Sequence, residues 1–90
     1  MNQNIKELLE RSLGIMEDVT VFRQEADMAA QATFLIRLED KDEEYEAGVS
    51  LQPELRKAAV YYYTERIAHK EAALKKYLHA LREELNNMYK

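Results

Sequence analysis

The chain has 90 residues, of which 47% are hydrophobic and 33% charged, with a net charge of −4. This length predicts one domain, 1–90, and the hydrophobic content argues against disorder. The absence of cysteine excludes disulfides, thiolate metal sites and a cysteine nucleophile.

The low content of turn-forming residues favours an all-α protein. Two glycines and one proline are too few for the many turns of a β-sandwich or barrel. No apolar run approaches the roughly 20 residues of a membrane helix, and the N-terminus lacks a basic and apolar signal sequence. We therefore expect a cytoplasmic protein.

The first predicted arm covers residues 4–39 and carries an apolar seam with a regular 3, 4 spacing, which is typical of a helix. Gly14 predicts a break or kink, because glycine costs about 1 kcal/mol relative to alanine inside a helix. The seam consists of Ile5, Leu8, Ser12, Ile15, Val19, Phe22, Ala26, Ala29, Thr33 and Ile36.

Two segments of this arm, 18–22 and 33–38, are rich in β-branched and aromatic residues, which favour strands. A β-hairpin within 33–51, packed on the C-terminal helix in an α+β fold, is therefore the alternative. We favour helix in both segments because the seam crosses them.

An acidic connection covers residues 40–52. A calcium loop of the EF-hand type that starts at Asp40 would require glycine at its sixth position and glutamate at its twelfth. The sequence has Tyr45 and Leu51 there, which argues against such a site. A solvated turn is the simpler interpretation.

The second arm, 53–89, is predicted as one long helix. Pro53 suits the first helical position, and Glu54 suits the positive end of the helix dipole. No glycine or proline follows. Its apolar seam is formed by Val60, Tyr63, Ile67, Leu74, Leu78, Leu81, Leu85 and Met88.

These elements predict an antiparallel helical hairpin, or a three-helix arrangement if the first arm breaks at Gly14. The first arm is apolar nearly all round at 34–38, so one partner helix cannot cover it. We therefore expect a homodimer that forms a helical bundle. The candidate self-association residues are Phe34, Leu35, Leu38, Leu74, Leu78, Leu81 and Leu85.

The sequence carries no catalytic motif. His69 and His79 would lie about 15 Å apart along a helix, too far to share a metal ion. No serine–histidine–acid set, phosphate loop or dinucleotide fingerprint is present. We expect a protein without enzymatic activity, cofactor, metal ion or small-molecule substrate.

The leading hypothesis is a protein–protein interaction module, such as a regulator, inhibitor or adaptor of a larger protein. Acidic and tyrosine side chains are the candidate contacts, because acidic surfaces attract basic partners and tyrosine is enriched in interfaces. They are Asp40, Asp42, Glu43, Glu44, Tyr45, Glu46, Tyr61 and Tyr62.

Two alternatives remain open. A nucleic-acid-binding helix would use Lys57, Lys75, Lys76 and Arg82, but the isoelectric point of about 5.2 disfavours it. A structural component of a larger assembly would need the same helical surfaces.

Overall fold

A computed structural model of the chain describes residues 3–37 and 43–89. It contains two long helices, α1 (Gln3–Ala29) and α2 (Gln52–Met88). A two-stranded antiparallel sheet of β1 (Leu35–Arg37) and β2 (Glu44–Glu46) lies between them in the chain. The helices pack together as an elongated hairpin of 63 × 24 × 15 Å. The predicted helical hairpin is confirmed.

Helix α1 continues through Gly14, so the predicted break is wrong. A cost of about 1 kcal/mol for glycine is small beside the packing of a 27-residue helix on α2. The segment 18–22 is helical, as favoured from the seam. All four buried residues of α1 belong to that seam; they are Ile5, Ser12, Val19 and Ala29.

Ser12 is the most deeply buried residue of the α1 seam. Ser12 is only 2% exposed, and its hydroxyl donates a hydrogen bond of 2.7 Å to the carbonyl of Leu8. That bond satisfies the hydroxyl within α1, so it needs no partner from the opposing helix.

The helix predicted for 33–38 is wrong over residues 33–37, because α1 ends at Ala29 and β1 follows; residue 38 lies outside the described residues. The alternative β-hairpin is present in a shorter form than 33–51. In its register, Ile36 lies opposite Tyr45, and Leu35 opposite Glu46. The strand preference of these residues agrees with this outcome.

The amide of Gln52 connects the sheet to the start of α2. Gln52 is 6% exposed, and its Oε1 accepts a hydrogen bond of 2.8 Å from the Phe34 N–H. Its Nε2 donates to the carbonyls of Phe34, at 2.9 Å, and Ala47, at 3.0 Å. In a continuing helix the backbone groups of Phe34 would be used within the helix. The hydrogen bonds from Gln52 therefore favour the strand.

Helix α2 spans 37 residues, about 55 Å, and contains the predicted Pro53 in its first turn. The core between the helices is thin. Over residues 3–37 and 43–89, the buried hydrophobic side chains are Ile5, Val19, Ala29 and Ala47. No leucine of α2 is fully buried, and Leu78 and Leu85 are 45% and 39% exposed.

Candidate interaction surface

The two long sides of the hairpin differ in chemistry. On one side, the polar side, Lys70 Nζ lies 3.1 Å from the Asp18 carboxylate. Two helical turns away, the guanidinium of Arg11 lies over the ring of Tyr77, 5.9 Å from its centroid. Charged side chains thus reach from one helix to the other on this side. They cover part of the apolar surface between the helices.

An arginine also covers aromatic rings on the polar side. The guanidinium of Arg66 lies 4.9 Å from the ring centroid of Phe22 and 5.4 Å from that of Tyr62. Cation–π contacts of this kind stabilise packed rings. Nearby, a hydrogen bond to Glu25 raises the pKa of Tyr63, because it stabilises the neutral phenol.

On the opposite side, a shallow groove of about 340 Å³ runs between α1 and α2. Met16 and Leu74 line it together with Leu78, and the ion pair of Arg23 and Glu71, at 3.0 Å, closes one end. Apolar side chains continue along both helices away from that ion pair. Five of them, each 39–50% exposed, define the apolar face: Leu9, Leu13, Met16, Leu78 and Leu85.

The apolar face lies between rims of opposite charge. On α1, Glu17 lies on the outer edge of the helix, where it borders both the depression with Leu13 and Met16 and the depression of the polar side, and Glu10 lies seven residues earlier. On α2, Lys75 lies beside Leu78 in the groove, and Arg82 follows seven residues later. Seven residues are two helical turns, so each pair lies on one edge of its helix.

The structure divides the described self-association candidates into three groups. Leu74 and Leu81 are half-buried on the α2 seam, whereas Leu78 and Leu85 belong to the exposed apolar face. Away from α2, Phe34 is half-buried and Leu35 is 54% exposed in β1. Leu38 lies outside the described residues.

Sequence reasoning missed the α1 part of the apolar face. Leu9, Leu13 and Met16 each follow a seam residue by one position. Their 4, 3 spacing runs parallel to the seam and places them on its flank. This second row of apolar residues is the sequence pattern that could have predicted the α1 part of the apolar face.

The acidic candidates Glu43, Glu44 and Glu46 are exposed at the small sheet. The phenol of Tyr45 donates a hydrogen bond to the Glu43 carboxylate, which raises the pKa of Tyr45. Adjacent strand residues point to opposite faces, so Glu44 and Glu46 share one face and Tyr45 the other. Asp40 and Asp42 lie outside the described residues.

The two tyrosine candidates have different surroundings. Tyr61 is 67% exposed and lines an open depression beside Ala30, near the end of α1. Tyr62 packs edge-on against Tyr63, with centroids 5.3 Å apart. Tyr61 therefore has the larger free surface for a partner.

The basic candidates do not form one patch. Lys57 and Arg82 are separated by 25 helical residues, roughly 37 Å. Lys57 lies 4.0 Å from Glu54, and Lys75 borders the apolar groove, with Lys76 next to it in sequence. Nucleic-acid binding stays a prediction.

Within the described ranges, no group of histidine, aspartate and glutamate could hold a metal ion. His79 lies 3.7 Å from Glu83, and both are exposed. Neither of the two helices is apolar enough over sufficient length to cross a membrane. No family model, curated protein or solved structure matches this chain.

Proposed function

We propose that this protein is a non-enzymatic interaction module that forms a homodimer and docks on a larger protein as a regulator, inhibitor or adaptor. The observation that carries the proposal is the apolar face of five large, exposed side chains between charged rims. A contiguous apolar surface with a polar rim is typical of protein–protein interfaces.

The thin core supports self-association. Full burial of a leucine or methionine side chain contributes about 1.5–3 kcal/mol. The side chains of the apolar face are 39–50% exposed, so part of this free energy is not gained within one hairpin. Small chains without disulfides often gain it through oligomerisation.

Other exposed groups are suited to a second, larger partner. Tyr61, a residue of α2, presents an aromatic ring beside the end of α1. Glu44 and Glu46 present carboxylates on one face of the small sheet. These groups lie outside the apolar face, so a dimer would keep them accessible. A partner with a basic, partly apolar surface would complement them. A cytoplasmic location is part of the proposal, and the absence of cysteine is compatible with it.

Sedimentation equilibrium at tens of micromolar tests the dimer. The expected mass is twice the 10.6 kDa of one chain. Leu13→Glu combined with Leu78→Glu should give a folded monomer, because two charges would have to be buried in the dimer. Met28→Glu combined with Tyr61→Glu is the matched control, since both residues are exposed outside the apolar face. A wild-type monomer would refute the dimer.

Affinity capture from the native host tests the larger partner. A protein bound in stoichiometric amounts, and lost with Tyr61→Ala or with Glu44→Lys and Glu46→Lys, is the expected result. The monomeric double variant at Leu13 and Leu78 separates partner binding from dimerisation. Complexes that contain this chain alone would contradict an adaptor or inhibitor role.

A further inference from the structure

We infer that a second copy of this chain packs on the apolar face with the twofold axis parallel to the helices, so that α1 of each copy lies on α2 of its partner. This inference rests on the proposed self-association and adds its geometry. The two copies would form a four-helix bundle in which every helix is antiparallel to its neighbours.

Two orientations are available when the apolar faces meet. The twofold axis lies in the plane between the two copies and runs either along the helices or across them. An axis along the helices places α1 on the partner's α2. An axis across them places α1 on the partner's α1, and α2 on α2.

Observed contacts show which residues of α1 and α2 lie at the same height. On the groove side, Arg23 pairs with Glu71 at 3.0 Å. From this pair, seven residues towards the N-terminus of α1 lead to Met16, and seven residues towards the C-terminus of α2 lead to Leu78. The polar side confirms this step, because the Asp18–Lys70 pair is followed seven residues on by Arg11 over Tyr77.

A second step of seven residues leads to Leu9 and Leu85. An axis along the helices keeps every residue at its own height while exchanging α1 for α2. Met16 then lies opposite the partner's Leu78, and Leu9 lies opposite the partner's Leu85. Two apolar pairs of the face, Met16 with Leu78 and Leu9 with Leu85, therefore match in height.

The charged rims select between the orientations. With the axis along the helices, the rim of Glu10 and Glu17 faces the partner's rim of Lys75 and Arg82. With the axis across the helices, acidic rim faces acidic rim and basic rim faces basic rim. Complementary charges favour the first arrangement, and like charges disfavour the second.

Rim charges can approach one another without leaving water. The aliphatic stem of Lys75 borders the groove beside Leu78, so it can cover apolar surface while its ammonium group reaches outward. Single exposed ion pairs contribute little, but four pairs repeated by symmetry act together in choosing the orientation.

Reversal of one rim tests the orientation. Glu10→Lys with Glu17→Lys should weaken the dimer about tenfold or more at low salt, because four attractive pairs become repulsive. Adding Lys75→Glu and Arg82→Glu in the same chain should restore the wild-type dissociation constant. Glu65→Lys with Glu83→Lys, which makes the same change of net charge outside the apolar face, is the control.

The outcomes separate this inference from the proposed function. A dimer that the Glu10 and Glu17 reversal weakens no more than the control would overturn the orientation and leave self-association standing. A wild-type chain that is monomeric at tens of micromolar would overturn both. Weakening that the fourfold variant reverses supports the arrangement described above.

Discussion

The side-chain amide of Gln52 forms hydrogen bonds with both backbone groups of Phe34, 18 residues earlier in the chain, at 2.8 and 2.9 Å. The same amide also donates to Ala47, which follows β2, so one buried side chain connects both strands of the small sheet, at their shared end, to the start of α2. Arg56 adds a hydrogen bond of 2.7 Å to the carbonyl of Ala32. These contacts fix where α1 ends and where the sheet begins.

Gln52→Glu should destabilise the protein by about 3 kcal/mol. The carboxylate loses both donated hydrogen bonds and lies against the carbonyl oxygens of Phe34 and Ala47. Chemical denaturation at one fixed protein concentration measures the effect, since dimerisation makes stability concentration-dependent. Gln31→Glu, at an exposed position just after α1, is the control. Equal stability of the two variants would show that the hydrogen bonds of Gln52 are unimportant.

Gly14→Ala should stabilise the protein by about 1 kcal/mol. Gly14 lies within α1, and an added Cβ would meet no heavy atom within 4 Å. Alanine therefore reduces the freedom of the unfolded chain without creating a clash. Thermal denaturation would detect the gain as a higher midpoint. A lower midpoint would indicate that another chain approaches the helix closely at Gly14.

Tyr63→Phe should lower stability at neutral pH and have less effect in alkaline solution. The pKa of Tyr63 is raised in the folded protein, first by its hydrogen bond to Glu25. A raised pKa means that the stabilisation is complete below the unfolded pKa, about 10, and is lost as pH rises through the folded value.

Unfolding free energies of wild type and Tyr63→Phe, measured from pH 7 to pH 11, check this prediction. The difference between them should stay constant to about pH 9 and shrink above pH 10. Tyr61→Phe, at an exposed tyrosine, is the control. A difference for Tyr63→Phe that grows with pH would contradict the hydrogen bond as its origin.

The heptad seam predicted α1 well up to Ala29, because helical periodicity and burial coincide there. It failed at Thr33, which lies in the segment between α1 and β1, and at Ile36, which lies in β1. The deciding contact, from Gln52 to Phe34, joins residues far apart in sequence and leaves no periodic signal. Local propensity at 33–38 was the better guide, because the backbone could find partners outside a helix.

The candidate surface was predictable only in part. Leu78 and Leu85 stand out in sequence because they repeat on α2, yet the same pattern includes Leu74 and Leu81, which face α1. Only the crossing of two packed helices determines which leucines remain exposed. Met16 gains its significance from the same packing, since it lines the groove together with Leu78.

Disulfide trapping of single-cysteine variants tests the dimer geometry most directly, because the natural chain contains no cysteine. Met16→Cys and Leu78→Cys chains, refolded together and oxidised, should form a mixed disulfide dimer, since a disulfide requires Cα atoms about 4.4–6.8 Å apart. Leu13→Cys alone should form little dimer, because α1 lies on the partner's α2. Efficient self-linking of Leu13→Cys, without the mixed disulfide of Met16→Cys and Leu78→Cys, would contradict the proposed arrangement.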